Sequence, residues 1–177
     1  RPVEILIAEE SRPAKGHPPL WRVRRSGEES SADAPPESRL STGTEIELAS
    51  SGGDGLLIRP DGLRIRVERG AVFRIGEEAT RTGGISLLRG KALVVMPAGQ
   101  EGLSTVLGGV RLAIPGEKTV AILATGEDRS YVMLLEGTAM LSGSGRRVEI
   151  RSPVRADIGA GGSIEIASRL DVRSFAS

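Results

Sequence analysis

The chain has 177 residues, with 24 Lys and Arg against 23 Asp and Glu, 24 Gly, 10 Pro, no Cys, one His and only four aromatic residues: Trp21, Phe73, Tyr131 and Phe175. A formal charge of +1 is too small to drive phosphate-backbone binding by counterion release, and 2% aromatic residues supply no stacking platform, so nucleic acid is excluded as a partner. The lack of Cys excludes thiolate catalysis, cysteine-ligated zinc, iron–sulfur clusters and disulfides, while 38% hydrophobic residues suffice for one core.

In chain order, residues 3–8 and 20–24 alternate apolar and polar side chains and predict two short strands joined by a Pro-containing loop. Residues 26–39 are rich in Ser and acidic side chains around Pro35-Pro36, and predict a flexible polar linker. From Leu40 onward the chain breaks into strand-sized segments bounded by Gly. Leu63, Ile65 and Val67 alternate with Arg64, Arg66 and Glu68, which is the signature of a half-buried strand. Arg59-Pro-Asp-Gly62 separates it from Leu56-Leu57-Ile58, and because Pro presets φ while Gly accepts φ > 0, a hairpin is predicted. Further strands are expected at 72–75, 85–88, 92–96, 110–114, 120–124, 132–135, 139–141, 148–150 and 163–166. No segment carries a helical stripe. The predicted class is all-β, a solenoid-like or flattened double-sheet stack of short strands and hairpins. It is divided into N-terminal strands packing on the domain (1–25), a flexible loop (26–39), the main β domain (40–168) and a tail (169–177).

A weak internal repeat supports the stack. Arg69-Gly-Ala-Val-Phe73, Arg89-Gly-Lys-Ala-Leu93 and Glu136-Gly-Thr-Ala-Met140 each read charged, Gly, any residue, small-to-medium apolar, large apolar, and each follows a strand-like run.

These segments also carry a family resemblance. Ser41-Thr-Gly-Thr-Glu-Ile46, then Leu57-Ile-Arg-Pro-Asp-Gly-Leu-Arg-Ile-Arg-Val67, then Ile85-Ser-Leu-Leu-Arg-Gly-Lys-Ala-Leu-Val-Val95, then Tyr131-Val-Met-Leu-Leu-Glu-Gly-Thr-Ala-Met-Leu141 and finally Ile158-Gly-Ala-Gly-Gly-Ser-Ile164 together resemble the FecR-type domain of bacterial envelope proteins. The order of the elements carries the likeness. The sequence departs from the family at 112–122, where Glu117 stands in place of the usual Thr and no Phe follows, so it resembles a divergent member. The resemblance implies a non-catalytic periplasmic domain, tethered to a membrane through a segment outside this sequence, that takes part in signal sensing or in envelope assembly. Neither an anti-sigma helical region nor a receptor-docking segment after Ile166 is recognisable in the sequence, so the signalling role does not carry over directly. The opening on Arg1, without an initiating Met, agrees with a piece of a longer protein. Apolar runs no longer than Ala92–Met96 leave membrane contact to that outside segment.

A search for chemistry returns little. His17 lies alone in a Pro-rich loop. Gly143-Ser-Gly145 lacks the elbow of a serine nucleophile, and Gly159-Ala-Gly-Gly-Ser163 lacks the Lys and the helix of a phosphate loop. No catalytic residue, metal site or cofactor is expected. What stands out is the arginine content. Arg59, Arg64, Arg66 and Arg74 fall on the outward phase of strands and could form a row, with Tyr131 half-exposed nearby, suited to an acidic partner. The alternative is solvated arginines paired across strands with Glu68 and Glu77. The expected partner is an envelope protein; a peptidoglycan or other cell-wall polysaccharide gripped by the arginine face is the second possibility.

Overall fold

The computed structural model describes residues 5–7, 18–25, 27–76, 84–99 and 102–167; His17 and the 169–177 tail lie outside them. The described chain is all-β: 17 strands join in one open, mixed sheet. It folds over on itself into two layers, and it does so at a single strand, β9 (Gly84–Met96).

Layer A runs, neighbour by neighbour, through β4 (Arg39–Leu40), β1 (Ile5–Ile7), β6 (Gly55–Ile58), β7 (Arg64–Val67), the second half of β9, β12 (Thr119–Thr125), β13 (Ser130–Glu136), β16 (Val154–Ile158) and β17 (Ile164–Ala167). Layer B runs through β3 (Ala32–Ala34), β2 (Trp21–Arg24), β5 (Glu45–Leu48), β8 (Val72–Ile75), the first half of β9, β10 (Leu103–Leu107), β11 (Val110–Ile114), β14 (Thr138–Gly143) and β15 (Arg146–Arg151). Only the β9–β10 pairing is parallel among those described. Beyond β9 the hairpins β10–β11, β12–β13, β14–β15 and β16–β17 alternate between layers, so the flattened double-sheet stack is the form realised.

The sequence explains how β9 serves both layers. Ile85 and Leu87 are buried, and after a break so are Ala92, Val94 and Met96. Odd positions point inward before the break and even positions after it. A strand with a strict period of two cannot do this, so the phase has to slip once. It slips where Leu88 bulges out of register with β8, leaving Leu88 and Arg89 both exposed, and the strand turns into layer A at Gly90, whose φ of +102° is open to Gly at no steric cost and whose absent Cβ would lie 2.6 Å from the Cα of Ala71. Gly70 and Gly137, the other glycines of the repeated pentapeptide, also have positive φ, and all three stand where the chain passes from one layer to the other. The repeat marks layer crossings. The two segments expected at 85–88 and 92–96 are accordingly one bent strand.

The gap between layers is filled by Ile, Leu, Val and Ala from both sheets, with Phe73 2% and Trp21 3% exposed. β1 and β2 belong to different layers, and Ile5, Ile7 and Trp21 enter the common core, so the N-terminal strands are integral to it. The stretch 26–39, expected to be a linker, contains β3 paired with β2 and the first residue of β4. The sequence hid this strand because an edge strand with one neighbour needs few apolar residues: Ala32 and Asp33 are exposed. The β6–β7 hairpin forms as predicted, with Leu57 opposite Ile65. β10 was not anticipated, since the small polar residues Ser104 and Thr105 interrupt its apolar alternation.

A candidate interaction face

The outer faces of the two layers are made differently. On layer B the outward positions of β2, β5 and β8 are largely charged and paired across strands, while Leu88 on β9 and Val106 on β10 are apolar and exposed. Glu45 accepts from Arg24 at 3.0 Å and from Arg74 at 3.1 Å, joining β2, β5 and β8. Glu47 meets Arg89 at 3.7 Å, and Arg151 meets Glu149 at 2.9 Å on β15. Burial by itself raises the Glu45 carboxyl, but the hydrogen bonds and charges of Arg74 and Arg24 outweigh it and hold the group below the ordinary carboxylate range. This is a face built for water. An open groove of about 730 Å³ lies on it, where the short side chains of Ser104 and Ala113 sit beside Met140 and Glu117.

Layer A is different because its central strands do not alternate. Leu93 and Val95 on β9, Val120 and Ile122 on β12, and Met133 on β13 all point away from the core, and cross-strand register brings them together: Leu93 stands opposite Ile122 and Ile122 opposite Met133. Val95 is 39% exposed, Leu93, Val120 and Ile122 are half-buried, and Met133, at 9%, is covered by its neighbours on this face. Runs such as Ala92-Leu-Val-Val-Met96 and Tyr131-Val-Met-Leu-Leu135, apolar on both phases, belong to strands covered on both faces. Here the core covers only one of them.

Polar side chains frame this strip. Arg64 and Arg66 rise from β7, opposite Val95 and Leu93. Lys91, opposite Ala124, stands at one end beside a cleft of about 260 Å³ that also touches Arg66 and Glu68. On the far side the Arg155 guanidinium lies 4.3 Å from the centre of the Tyr131 ring and is bound by Asp157 at 2.9 Å. Tyr131 is half-buried, and one face of its ring is already occupied by a cation.

The expected arginine row therefore does not form. Arg64, Arg66 and Tyr131 do share the outer face of layer A, with β9 and β12 between β7 and β13. Arg74 is on the outer face of layer B, held by Glu45. Arg59 is not outward at all. It is 4% exposed, donates to Asp61 and reaches the carbonyl of Gly102 at 3.1 Å, so it ties the β6–β7 turn to the start of β10. Alternation fails for Arg59 because it lies past the end of β6, in a turn where strand phase no longer fixes direction. Burial raises the Asp61 carboxyl, while hydrogen bonds from Arg59 and the Leu63 N–H, with the Arg59 charge, bring it below the ordinary range. Sequence reasoning looked for charge and missed the aliphatic strip. The signal was present in the uninterrupted apolar runs at 92–96, 120–124 and 131–135.

Among the described residues no group of three or more His, Cys, Asp or Glu side chains is placed to hold a metal ion, and no helix is long and apolar enough to cross a membrane.

Solved structures that match this fold include two crystal structures from Parabacteroides distasonis, at 2.50 and 1.65 Å resolution, each assigned as an anti-sigma factor. Each superposes with a TM-score of 0.57 at 14% sequence identity, over 70% of this chain and 58% of the other. The fold is shared, and this chain spans less than two thirds of the length of either matched chain. Neither a family model nor a curated protein matches the sequence.

Proposed function

We propose that this chain is a non-catalytic interaction domain of the bacterial envelope, FecR-like and periplasmic, that works by protein–protein contact through the outer face of layer A in signal sensing or envelope assembly. The observation that carries the reading is the contrast between the two outer faces. Layer B carries a ladder of cross-strand ion pairs over β2, β5 and β8 with Leu88 and Val106 exposed beside it, whereas layer A carries a contiguous aliphatic strip across β9, β12 and β13 on strands whose sequences are written for burial on both sides. Exposed apolar patches of this kind mark contact surfaces. The shared fold with a protein assigned as an anti-sigma factor, and the ordered motifs at 41–164, support the regulatory and envelope parts of the reading.

The test is made at the chromosomal locus with Leu93→Asp and Ile122→Asp together. Transcription of the cell and permeability of its envelope to detergent are measured beside the parent, and spheroplast fractionation locates the protein. A coherent set of changed transcripts supports sensing, and a leaky envelope with unchanged transcripts supports assembly. Parental behaviour in both, with the variant present at parental abundance, refutes the contact. Recovery in the cytoplasm refutes the placement.

A further inference from the structure

We infer that the outer face of layer A seats a single amphipathic α-helix from a partner protein, apolar along one stripe and acidic on the flank that meets β7. This rests on the proposed protein contact and adds which element makes it and with what charge.

The dimensions favour a helix. The strip spans β9, β12 and β13, two strand spacings of about 4.8 Å each, so it is about 10 Å wide. A helix with its side chains is about 10–12 Å across. Along the strands the strip runs from the row of Val95 to that of Lys91, four residue steps, or about 13 Å. That is the length of about nine helical residues, which place apolar side chains at i, i+3, i+4 and i+7. A sheet would need a wider apolar floor. Beyond β9 it would have to bury the guanidinium groups of Arg64 and Arg66, at a large desolvation cost.

Charge sets the orientation. Arg64 and Lys91 are exposed and make no ion pair among the described residues. The opposite rim is self-compensated, because Asp157 holds Arg155. The β7 side is therefore the cationic flank, and a helix with Glu or Asp there gains charge-assisted hydrogen bonds that a basic helix cannot make. A second copy of the chain fits less well. The carboxylates that border its strip, Glu136 opposite Val120 and Asp157 opposite Tyr131, are already engaged by Lys118 and Arg155.

The 177-residue chain, methyl-labelled, is titrated by NMR with three synthetic 15-residue peptides sharing one Leu stripe. One carries Glu on its flank, one carries Lys, and one carries Glu with a central Pro that prevents the helix. The expected result is methyl shifts at Leu93, Val95, Ile122 and Met133 with the Glu peptide. Binding should be at least about tenfold weaker with the Lys peptide, corresponding to a difference of about 1.4 kcal/mol, and undetectable with the Pro peptide. Arg64→Glu with Lys91→Glu, both at exposed positions, reverses the order of the Glu and Lys peptides without touching the core. Ile122→Asp removes binding of both. Equal binding of the Glu and Lys peptides, shifts confined to layer B, or no shifts with any peptide overturns the inference. So does a concentration-dependent dimer dissolved by Ile122→Asp, which would make a second copy the occupant. Co-sedimentation with anionic phosphatidylglycerol vesicles without peptide binding would make it a lipid surface. If the peptides fail while Leu93→Asp with Ile122→Asp still changes the cell's transcripts, the contact stands and the helix falls.

Discussion

Gly55 on β6 sits directly beneath the indole of Trp21, across the gap between layers. A Cβ at this position would lie 2.2 Å from Cζ2, 2.8 Å from Cε2 and 3.0 Å from Cη2 of the ring. Carbon atoms in contact prefer about 3.5 Å or more, so the ring would have to withdraw by more than about 1 Å. It has no room to do so, being 3% exposed and rigid. Overpacking of this kind costs about 1–3 kcal/mol, and the smaller entropy of the unfolded chain on Gly→Ala offsets about 0.4–1 kcal/mol. Gly55→Ala should therefore destabilise by about 1–2 kcal/mol, lowering Tm by roughly 2–8 °C for a chain of this size. Trp21 is the only Trp in the chain, so its fluorescence reports the contact while far-UV circular dichroism reports the fold. A double-mutant cycle isolates the cause. Trp21→Leu is costly by itself, at about 3 kcal/mol or more, but in that background Gly55→Ala should be neutral or slightly stabilising. An unchanged Tm and emission maximum in Gly55→Ala, or the same loss with and without the indole, would refute the packing argument.

Other substitutions separate the arginines by role. Arg59→Ala strips a buried cation from Asp61 and from the Gly102 carbonyl and should cost about 2–4 kcal/mol in chemical denaturation, whereas Arg64→Ala, on the open face, should stay within about 0.5 kcal/mol. Equal losses at the two sites would contradict the placement of Arg59. Acid titration of stability follows from Glu45 and Asp61, whose folded-state values lie below the ordinary ones of 4.5 and 3.8. The unfolded chain binds protons first, so their stabilisation is complete above the ordinary values and disappears as pH falls through the lower folded ones. Glu45→Gln should lower stability at pH 7 slightly and flatten the acid limb of a Tm-against-pH curve; an unchanged limb would exclude the Arg24–Glu45–Arg74 ladder as a contributor. On layer A, Ile122→Asp should raise the concentration at which the protein self-precipitates and cost no more than about 1–2 kcal/mol, because the side chain is only half-buried; a core-sized loss would place Ile122 in the interior.

Much of this fold was legible because strands of a two-layer stack repeat a simple rule. Leu63, Ile65 and Val67 alternate with charge and all three are buried. The Arg59-Pro-Asp-Gly62 turn forms, and the three repeated glycines each mark a crossing. What could not be read were features that depend on which segments become neighbours. Strand phase sent Arg59 outward, but a turn beside Gly102 buried it. Arg64 and Arg74 looked alike along the chain, yet β7 and β8 lie in different layers. The apolar strip joins residues as distant as Leu93 and Met133, and only cross-strand register makes them one surface.

That dependence on register makes Gly90 the position where fold and candidate site meet. Up to Leu87, odd residues of β9 face the core; from Ala92 on, even ones do. If the slip were lost, Leu93 and Val95 would turn inward and Ala92 and Val94 outward, and the strip would lose its tallest side chains. Gly90→Ala opposes the slip in two ways. It forces a β-carbon into φ of +102°, and it sets that carbon 2.6 Å from Cα and 2.7 Å from Cβ of Ala71, whose backbone cannot swing aside. Gly109→Ala is the control, since its φ is +82° but nothing lies within 4 Å of the added carbon. Backbone strain alone costs about 1–2 kcal/mol, so Gly109→Ala should lose that much, while Gly90→Ala, with the clash added, should lose about 3–5 kcal/mol. Hydrogen exchange distinguishes local from global damage. In Gly90→Ala the amides of β12, which pair with the second half of β9 from Thr119 to Thr125, should lose protection before those of β5, which pairs instead with β2 and β8. Equal costs for the two alanines, or uniform loss of protection across both layers, would mean that the crossing is held by the surrounding sheet and not by the glycine.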